Sequence, residues 1–270
     1  MNAYNMIREA PWYRRDVFTK GLRRVGCNVI YGAPDKFTRD TLLLIWNRYS
    51  GNHVLADQVE RGGGRVIVAE NGYLGRGGTS PKFDVHPDGP QPHHYYSLSL
   101  GFHNDDTRIR LDDPSRLAAL GVEVKPWRGD GEYILVCPNR SFGVLGRSMP
   151  VDWAAEVKKR LERYSPLPVR IRSHPGNSAP KRTIHEDLRG AAAVLIWTSS
   201  CGVHALVEGV PVICEAPFWI CKSTTVTLQM LEEDSPEIAL DHVAALQRMA
   251  CAQWTCEEIA NGDAFKVLLA

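Results

Sequence analysis

Short apolar runs that end in a glycine or a polar residue recur along the sequence, and they limit its possible folds more than any other feature. In the first half these runs are NVIYG, TLLLIWN and RVIVAENG, at 28–32, 41–47 and 65–72. Between the last two lies GNHVLADQVERGGG, whose helical periodicity ends at glycines. A strand, a helix and a strand at this spacing predict a right-handed parallel crossover. The first half is therefore expected to form an α/β domain.

The second half repeats this order of elements. Strands are predicted over EYILVC (132–137) and PVRIRS (168–173), with the helix VDWAAEVKKRLERY between them. A third apolar run, 191–197, leads into TSSCGVHALVEG and the strand VPVIC. The predicted fold is α/β, with two Rossmann-like, doubly wound domains facing a cleft. Their expected bounds are 1–120 and 121–270, and residues 73–116 are expected to be long loops.

Composition and charge exclude some classes of function. The net charge is +1, so no global field favours nucleic acid or an anionic membrane. No stretch reaches the roughly 18 apolar residues of a membrane span, and the N-terminus lacks the apolar core of a signal peptide. We therefore expect a cytoplasmic protein with no membrane partner. Its seven scattered cysteines are expected to be reduced thiols, and no metal site is predicted.

Three loops that follow strands of the second half carry groups suited to phosphate. NRSFGVLGR (139–147) combines glycines with arginines, RSHPGN (172–177) offers donors beside a Pro-Gly turn, and TSS (198–200) opens a helix. Free N–H groups and the helix dipole attract anions to a helix start, although serines also cap many helices that bind nothing. The convergence of all three predicts a nucleotide diphosphate site, with these candidate contacts: Arg140, Ser141, Arg172, His174, Asn177, Ser199 and Ser200.

Two segments carry a resemblance to a known family. RIRSHPGN followed by AAVLIWTSSCGVHALVEGVPVICEAPFW resembles the donor-binding half of glycosyltransferases with the two-domain GT-B fold. The upstream segments LLLIWNRYSGNH, GGGRVIVAENGYLG and HYYSLSLGFHN resemble small bacteriophage glycosyltransferases, some of which are linked to hypermodified DNA bases.

The resemblance implies a nucleotide-sugar donor, with a UDP-sugar expected, and no metal. It makes Asn177, Ser199, Ser200 and Gly202 candidate donor contacts. His204 is a departure, because many such transferases have a glutamate there that is presumed to hold the donor ribose. Recognition of the ribose is therefore expected to differ in this chain.

Glycosyl transfer requires a group that takes the proton of the acceptor hydroxyl. Glu70 ends the strand VIVAE, where a carboxylate is either capped by local amides or positioned for proton transfer. We take Glu70 as the leading candidate base, with His103 and Asp105 of GFHNDD in reserve. The sequence does not distinguish inversion from retention at the anomeric carbon.

The expected acceptor is DNA with a hydroxymethylated base such as 5-hydroxymethylcytosine, as the phage resemblance implies. Basic residues around the first helix and aromatic residues of 73–116 could contact phosphates and an extruded base. A nucleotide-sugar epimerase and a non-catalytic module that binds sugar nucleotide or DNA are the alternatives. The residues named for the acceptor are Arg14, Arg15, Lys20, Arg23, Arg24, Tyr73, Phe83, Tyr95, Tyr96 and Phe102.

Overall fold

The computed structural model describes residues 1–10, 13–74, 95–105, 109–128, 130–140, 143–144, 146–174, 177–178, 180, 182–229 and 241–270. The chain divides into two compact units. One comprises Met1–Gly121 together with Arg248–Ala270, and the other comprises Val122–Gln247. Each unit has its own sheet.

The N-terminal part of the first unit alternates strands and helices. Its elements are β1 (Asn2–Asn5), α1 (Arg15–Arg24), β2 (Asn28–Tyr31), β3 (Thr41–Trp46), α2 (Ser50–Arg61), β4 (Arg65–Asn71), β5 (Tyr95–Leu100) and α3 (Ser115–Ala119).

The second unit follows the same alternation. Its elements are β6 (Tyr133–Cys137), α4 (Trp153–Tyr164), β7 (Val169–Ile171), α5 (Ile184–Arg189), β8 (Ala191–Ile196), α6 (Cys201–Val207) and β9 (Val212–Cys214), and the chain leaves the unit along α7 (His242–Cys251).

The chain then returns to the first unit through β10 (Gln253–Thr255), α8 (Cys256–Ala260) and α9 (Asp263–Leu269). The expected second domain ran to residue 270, so this boundary is corrected. The physical reason is that β10 pairs with β5, and the apolar residues that follow it pack into the core of the first unit.

The sheet of the first unit has six strands in the order β10-β5-β4-β3-β1-β2. The strands β1 to β4 run parallel to one another, as the predicted crossover requires, whereas β5 pairs antiparallel with both β4 and β10. The strand β5 corrects the expectation of loops throughout 73–116. It forms because Tyr96, Leu98 and Leu100 alternate with serines, which places all three apolar side chains on one core-facing side.

The helix α1 packs closely on α8 across the core of the first unit. Val17, Phe18 and Leu22 form its buried stripe. A Cβ atom added at Gly21 would lie 1.8 Å from the carbonyl oxygen of Ile259, so only glycine permits this approach. The C-terminal helices thus form part of the core.

The sheet of the second unit has four parallel strands in the order β7-β6-β8-β9. Val136 of β6 packs with Trp153 and Val157 of α4 in one apolar cluster. Because successive strand residues point to opposite faces, Cys137 lies on the other face. The predicted second parallel sheet is confirmed, and its strand ends carry the candidate donor residues.

Candidate functional site

The strand order of the second unit identifies one crevice as the preferred ligand position. The first strand of the unit, β6, lies between the second and third, β7 and β8, so the crossovers diverge at the β6–β8 pair. Ligands of such sheets bind beyond the carboxyl ends of the strands at this point. Asn139 bridges the crevice: its amide donates to Thr198 Oγ1 at 3.1 Å, and the Thr198 N–H donates to its Oδ1 at 3.0 Å.

Arg140 and His174, from the loops after β6 and β7, are brought together. Burial and then the positive charge of Arg140 lower the pKa of His174, so its ring is neutral at pH 7 and able to donate or accept a hydrogen bond. Asn177 is exposed, and its N–H closes the turn by donating to the His174 carbonyl at 2.8 Å. Ser141 lies outside the described residues.

Arg172 has internal partners that the sequence did not reveal. Its guanidinium pairs with the carboxylate of Asp187 on α5 and donates to the Arg182 carbonyl at 2.8 Å. Only 10% of its side chain is exposed. This pairing makes Arg172 a link between β7 and α5, and it leaves less of the charge for a ligand than the sequence suggested.

The first turn of α6 is largely satisfied within the protein. Ser199 is buried; its Oγ accepts from the Cys201 N–H at 3.3 Å, and its carbonyl accepts from the Gly202 N–H at 3.1 Å. A Cβ at Gly202 would lie 2.6 Å from Ile196 Cδ1, so this glycine serves core packing. The expected contact of Gly202 with a donor is therefore not supported, and the exposed Ser200 is the better candidate.

His204 lies on α6 beside another histidine. Its ring centroid is 5.5 Å from that of His185 in an edge-to-face arrangement. Burial and the nearby His185 lower the pKa of His204 to about 4, so the ring is neutral at pH 7. A neutral imidazole can still hydrogen-bond a hydroxyl, which keeps His204 a candidate.

In the first unit, Glu70 lies at the end of β4 directly opposite Ser97 of β5. Burial raises the pKa of Glu70 to about 7, and hydrogen bonds from the Asn71 N–H, at 3.4 Å, and the Asn47 side chain oppose this shift only in part. Asn47 itself has a left-handed backbone (φ 54°) at the end of β3. Sequence reasoning missed Asn47, although an asparagine after a buried strand is typical of such a turn.

His103 contacts the residue opposite Glu70, because its Nδ1 is 3.5 Å from Ser97 Oγ. The ring stacks on Tyr73, with centroids 5.2 Å apart, and its Nδ1 is 2.9 Å from the Tyr73 hydroxyl oxygen. Burial lowers the pKa of His103 to about 3. Asp105, five residues beyond β5, is also buried. Ser97 is thus the register partner of Glu70 and a contact of His103.

The described aromatic residues expected to stack on a DNA base mostly pack against other side chains of the first unit. Tyr96 is fully buried between Phe18 and Trp46, which corrects its assignment as a base-stacking residue. Phe102 packs against the guanidinium of Arg48 at 4.0 Å, and Phe83 lies outside the described residues.

Of the basic residues expected to contact DNA phosphates, some form ion pairs within the first unit and others are exposed. Arg14 pairs with Asp16 and Arg15 with Glu9. The cations that remain exposed on α1 are Lys20, Arg23 and Arg24.

The described residues hold no cluster of histidine, cysteine, aspartate and glutamate able to bind a metal ion. Among the described helices, none is long and apolar enough to span a membrane.

Two solved structures resemble the chain over nearly its whole length. Thermosulfurimonas dismutans KpsC, beta Kdo 2,4 transferase, is 14% identical with a TM-score of 0.55, covering 93% of this chain and 90% of that one. The KpsC beta Kdo 2,7 transferase of the same organism is 14% identical with a TM-score of 0.53, covering 98% of each chain. No family model and no curated protein matches the sequence.

At this level of identity the likeness concerns the fold. It confirms the predicted α/β fold of the GT-B type, with Rossmann-like units. It gives no support to the expected link with phage DNA modification.

Proposed function

We propose that the protein is a glycosyltransferase that moves a sugar from a nucleotide-sugar donor to an acceptor hydroxyl. The observation that carries this proposal is the likeness of its fold, over 93% and 98% of the chain, to two Kdo transferases. The bridged crevice between β6 and β8 supports it, because parallel sheets of this order bind nucleotides there. A UDP-sugar is the donor expected from the sequence, and the names of the two neighbours add Kdo as a second sugar to test.

The second unit supplies the donor contacts in this proposal. The hydrogen bonds between Asn139 and Thr198 join the two loops that border the crevice, and Ser200, two residues after Thr198, is exposed. Arg140 supplies positive charge for the phosphate that leaves with the nucleotide, with His174 as a neutral hydrogen-bond partner. The reaction proposed here uses no metal ion.

The first unit supplies the base. The Glu70 carboxylate takes the proton of the acceptor hydroxyl, the acceptor oxygen bonds to the anomeric carbon, and the bond between sugar and phosphate breaks with its electrons leaving on the nucleotide. A base works best when its pKa lies near the working pH, and the pKa of Glu70 is about 7. Asn47 and Asn71 position this carboxylate.

The acceptor is proposed as a hydroxyl of a saccharide or of a hydroxymethylated DNA base. DNA was the expectation from the sequence, but the burial of Tyr96 and the pairing of Arg14 and Arg15 weaken that choice. Exposed Lys20, Arg23 and Arg24 are the described cations still suited to phosphate contact.

Donor consumption with and without acceptor tests the proposal. The protein is incubated with UDP-hexoses and a nucleotide-activated Kdo, each alone and with a saccharide, hydroxymethylated DNA or unmodified DNA, and products are read by mass spectrometry. A transferase forms product only with an acceptor, whereas an epimerase converts the donor alone. The proposal is contradicted if the donor is converted equally with and without each acceptor. It is also contradicted if donors bind but no product forms with any acceptor.

A further inference from the structure

Two thiols of the second unit meet where β6 ends and α6 begins. Cys137 is the last residue of β6 and is 1% exposed, whereas Cys201 is the first residue of α6 and is partly exposed. Both are free, and the Cys137 S–H donates a hydrogen bond to the Cys201 sulfur. The contact follows from the pleat of β6, which turns Cys137 away from the α4 cluster.

The environments of the two sulfurs shift their pKa values in opposite directions. The hydrogen bond from Cys137, another from the Ser199 hydroxyl, and the charge of Arg172 lower the pKa of the Cys201 thiol. The same sulfur–sulfur hydrogen bond and burial raise the pKa of Cys137. A thiolate is the reactive form of cysteine, so Cys201 is the nucleophile of the pair.

Other cysteines lack this environment. Burial raises the pKa of Cys27, Cys251 and Cys256, and that of Cys214 to about 11. These thiols remain protonated at neutral pH and react slowly with oxidants. Cys201 combines partial exposure with a stabilised thiolate.

We propose that Cys201 and Cys137 form an oxidation-sensitive pair, in which a hydroperoxide oxidises Cys201 and Cys137 then closes an intramolecular disulfide. In the first step the Cys201 thiolate attacks one peroxide oxygen and the O–O bond breaks, which gives a sulfenic acid. The leaving oxygen takes up one proton and departs as water from hydrogen peroxide, or as an alcohol from an organic hydroperoxide. In the second step the Cys137 sulfur attacks the sulfenic sulfur, the S–S bond forms, and hydroxide leaves with the thiol proton as water. One peroxide is reduced by two electrons for each disulfide.

The disulfide would join the last residue of β6 to the first residue of α6. Asn139 and Thr198 lie two and three residues from these cysteines, on the two loops that border the crevice. A covalent bond here constrains both loops. The disulfide is therefore expected to lower nucleotide affinity. That effect rests on the proposed function, whereas formation of the disulfide does not.

Peptide mapping of the whole chain tests the pair directly. Native protein is treated with limiting hydrogen peroxide, alkylated and digested without reductant, and crosslinked peptides are identified by mass spectrometry. The expected product links Cys137 to Cys201 within one chain and disappears on reduction. The Cys201→Ser variant forms no such crosslink. In the Cys137→Ser variant, oxidation stops at a Cys201 sulfenic acid, which dimedone traps. Cys27→Ser, which alters a buried thiol of the first unit, leaves the crosslink unchanged.

Wild-type protein alone is enough to overturn the proposal if a variant does not fold. Cys201 that stays a thiol while other cysteines oxidise, or that pairs with a different cysteine, contradicts it. A mapped Cys137–Cys201 disulfide in protein without transferase activity supports the pair while removing the proposed function, so the two outcomes are distinguishable.

Discussion

Glu70 makes the stability of the protein depend on pH. Its pKa is about 7 in the folded chain, compared with about 4.3 for an exposed glutamate. Between these two values the folded state binds more protons than the unfolded state. The free energy of unfolding therefore falls as the pH rises through this window, and it stays lower above pH 7.

Glu70→Gln tests this environment and the proposed role together. The glutamine keeps the shape but removes basicity, so turnover should fall about a hundredfold or more. Above pH 7 the free energy of unfolding of the variant should be about 1–3 kcal/mol higher than that of wild type, because no buried charge forms at position 70. Urea unfolding at pH 5 and pH 8, combined with transferase assays, measures both effects.

The matched control is Glu257→Gln, which changes an exposed carboxylate of the same unit and should alter neither quantity. Near-normal turnover in Glu70→Gln would place the base elsewhere. Asp105 would then be tested first, since the low pKa of His103, about 3, makes it a weak base.

Asn139 is the second residue whose role can be isolated. Its two hydrogen bonds to Thr198 join the loops after β6 and β8, and Asn139→Ala removes both. We expect nucleotide affinity to fall by about 5- to 30-fold, equivalent to about 1–2 kcal/mol for lost hydrogen bonds. Calorimetric titration with nucleotide measures this. Asn28→Ala, which removes an exposed 3.0 Å bond to Asn2, is the control, and equal affinities in all three proteins contradict the role.

At the scale of elements, Arg48 fixes α2 to the turn after β5. Its side chain is 2% exposed and donates to Asp57, Glu60 and the Gly101 carbonyl, each at 2.6 Å. Phe102 lies against the guanidinium. The turn that carries His103 is therefore positioned by a buried cation on the loop before α2.

Arg48→Met should destabilise the first unit and loosen this turn. The substitution leaves two carboxylates and a buried carbonyl without their common partner. Because the carboxylates are 39% and 37% exposed, the loss is expected to be about 1–3 kcal/mol, mostly from the unsatisfied carbonyl. Thermal unfolding measures the loss, and histidine NMR signals report the environment of His103. Arg61→Met on the exposed face of α2 provides the control. An unchanged melting temperature in Arg48→Met would show that the packing of α2 alone positions the turn.

The apolar runs of the sequence predicted the strands β3, β4, β6 and β8, because strands buried on both faces need continuous apolar residues. They did not predict β1, whose four residues include two asparagines, or β5, where serines occupy one face. The site was predicted less well. Asp187 as the partner of Arg172, and Ser199 as the acceptor for α6 amides, depend on tertiary contacts that residue types do not encode.

At the scale of the whole molecule, the two units repeat one strand order. The parallel strands run β2-β1-β3-β4 in the first unit and β7-β6-β8-β9 in the second, so each places its first strand between its second and third. The sequence predicted the repeated alternation of elements. It did not predict that the chain end returns to the first unit, because β10 has only three residues and its partner β5 is 153 or more positions earlier.

A chain ending at Gln247 tests how far the first unit depends on this return. The side chains removed from the core include the four large ones of Trp254, Ile259, Phe265 and Leu268, each worth about 1.5–3 kcal/mol of burial. Their sum is comparable to the whole stability of a typical domain, about 5–15 kcal/mol, so the first unit should lose cooperative unfolding. The sheet of the second unit is complete without this segment, so nucleotide binding should persist while transfer is lost. Scanning calorimetry measures the unfolding of the first unit, and titration calorimetry measures nucleotide binding to the second. A chain that lacks only the exposed Ala270 provides the control. Retention of both unfolding transitions in the truncated chain would show that the C-terminal strand and helices are dispensable to the core.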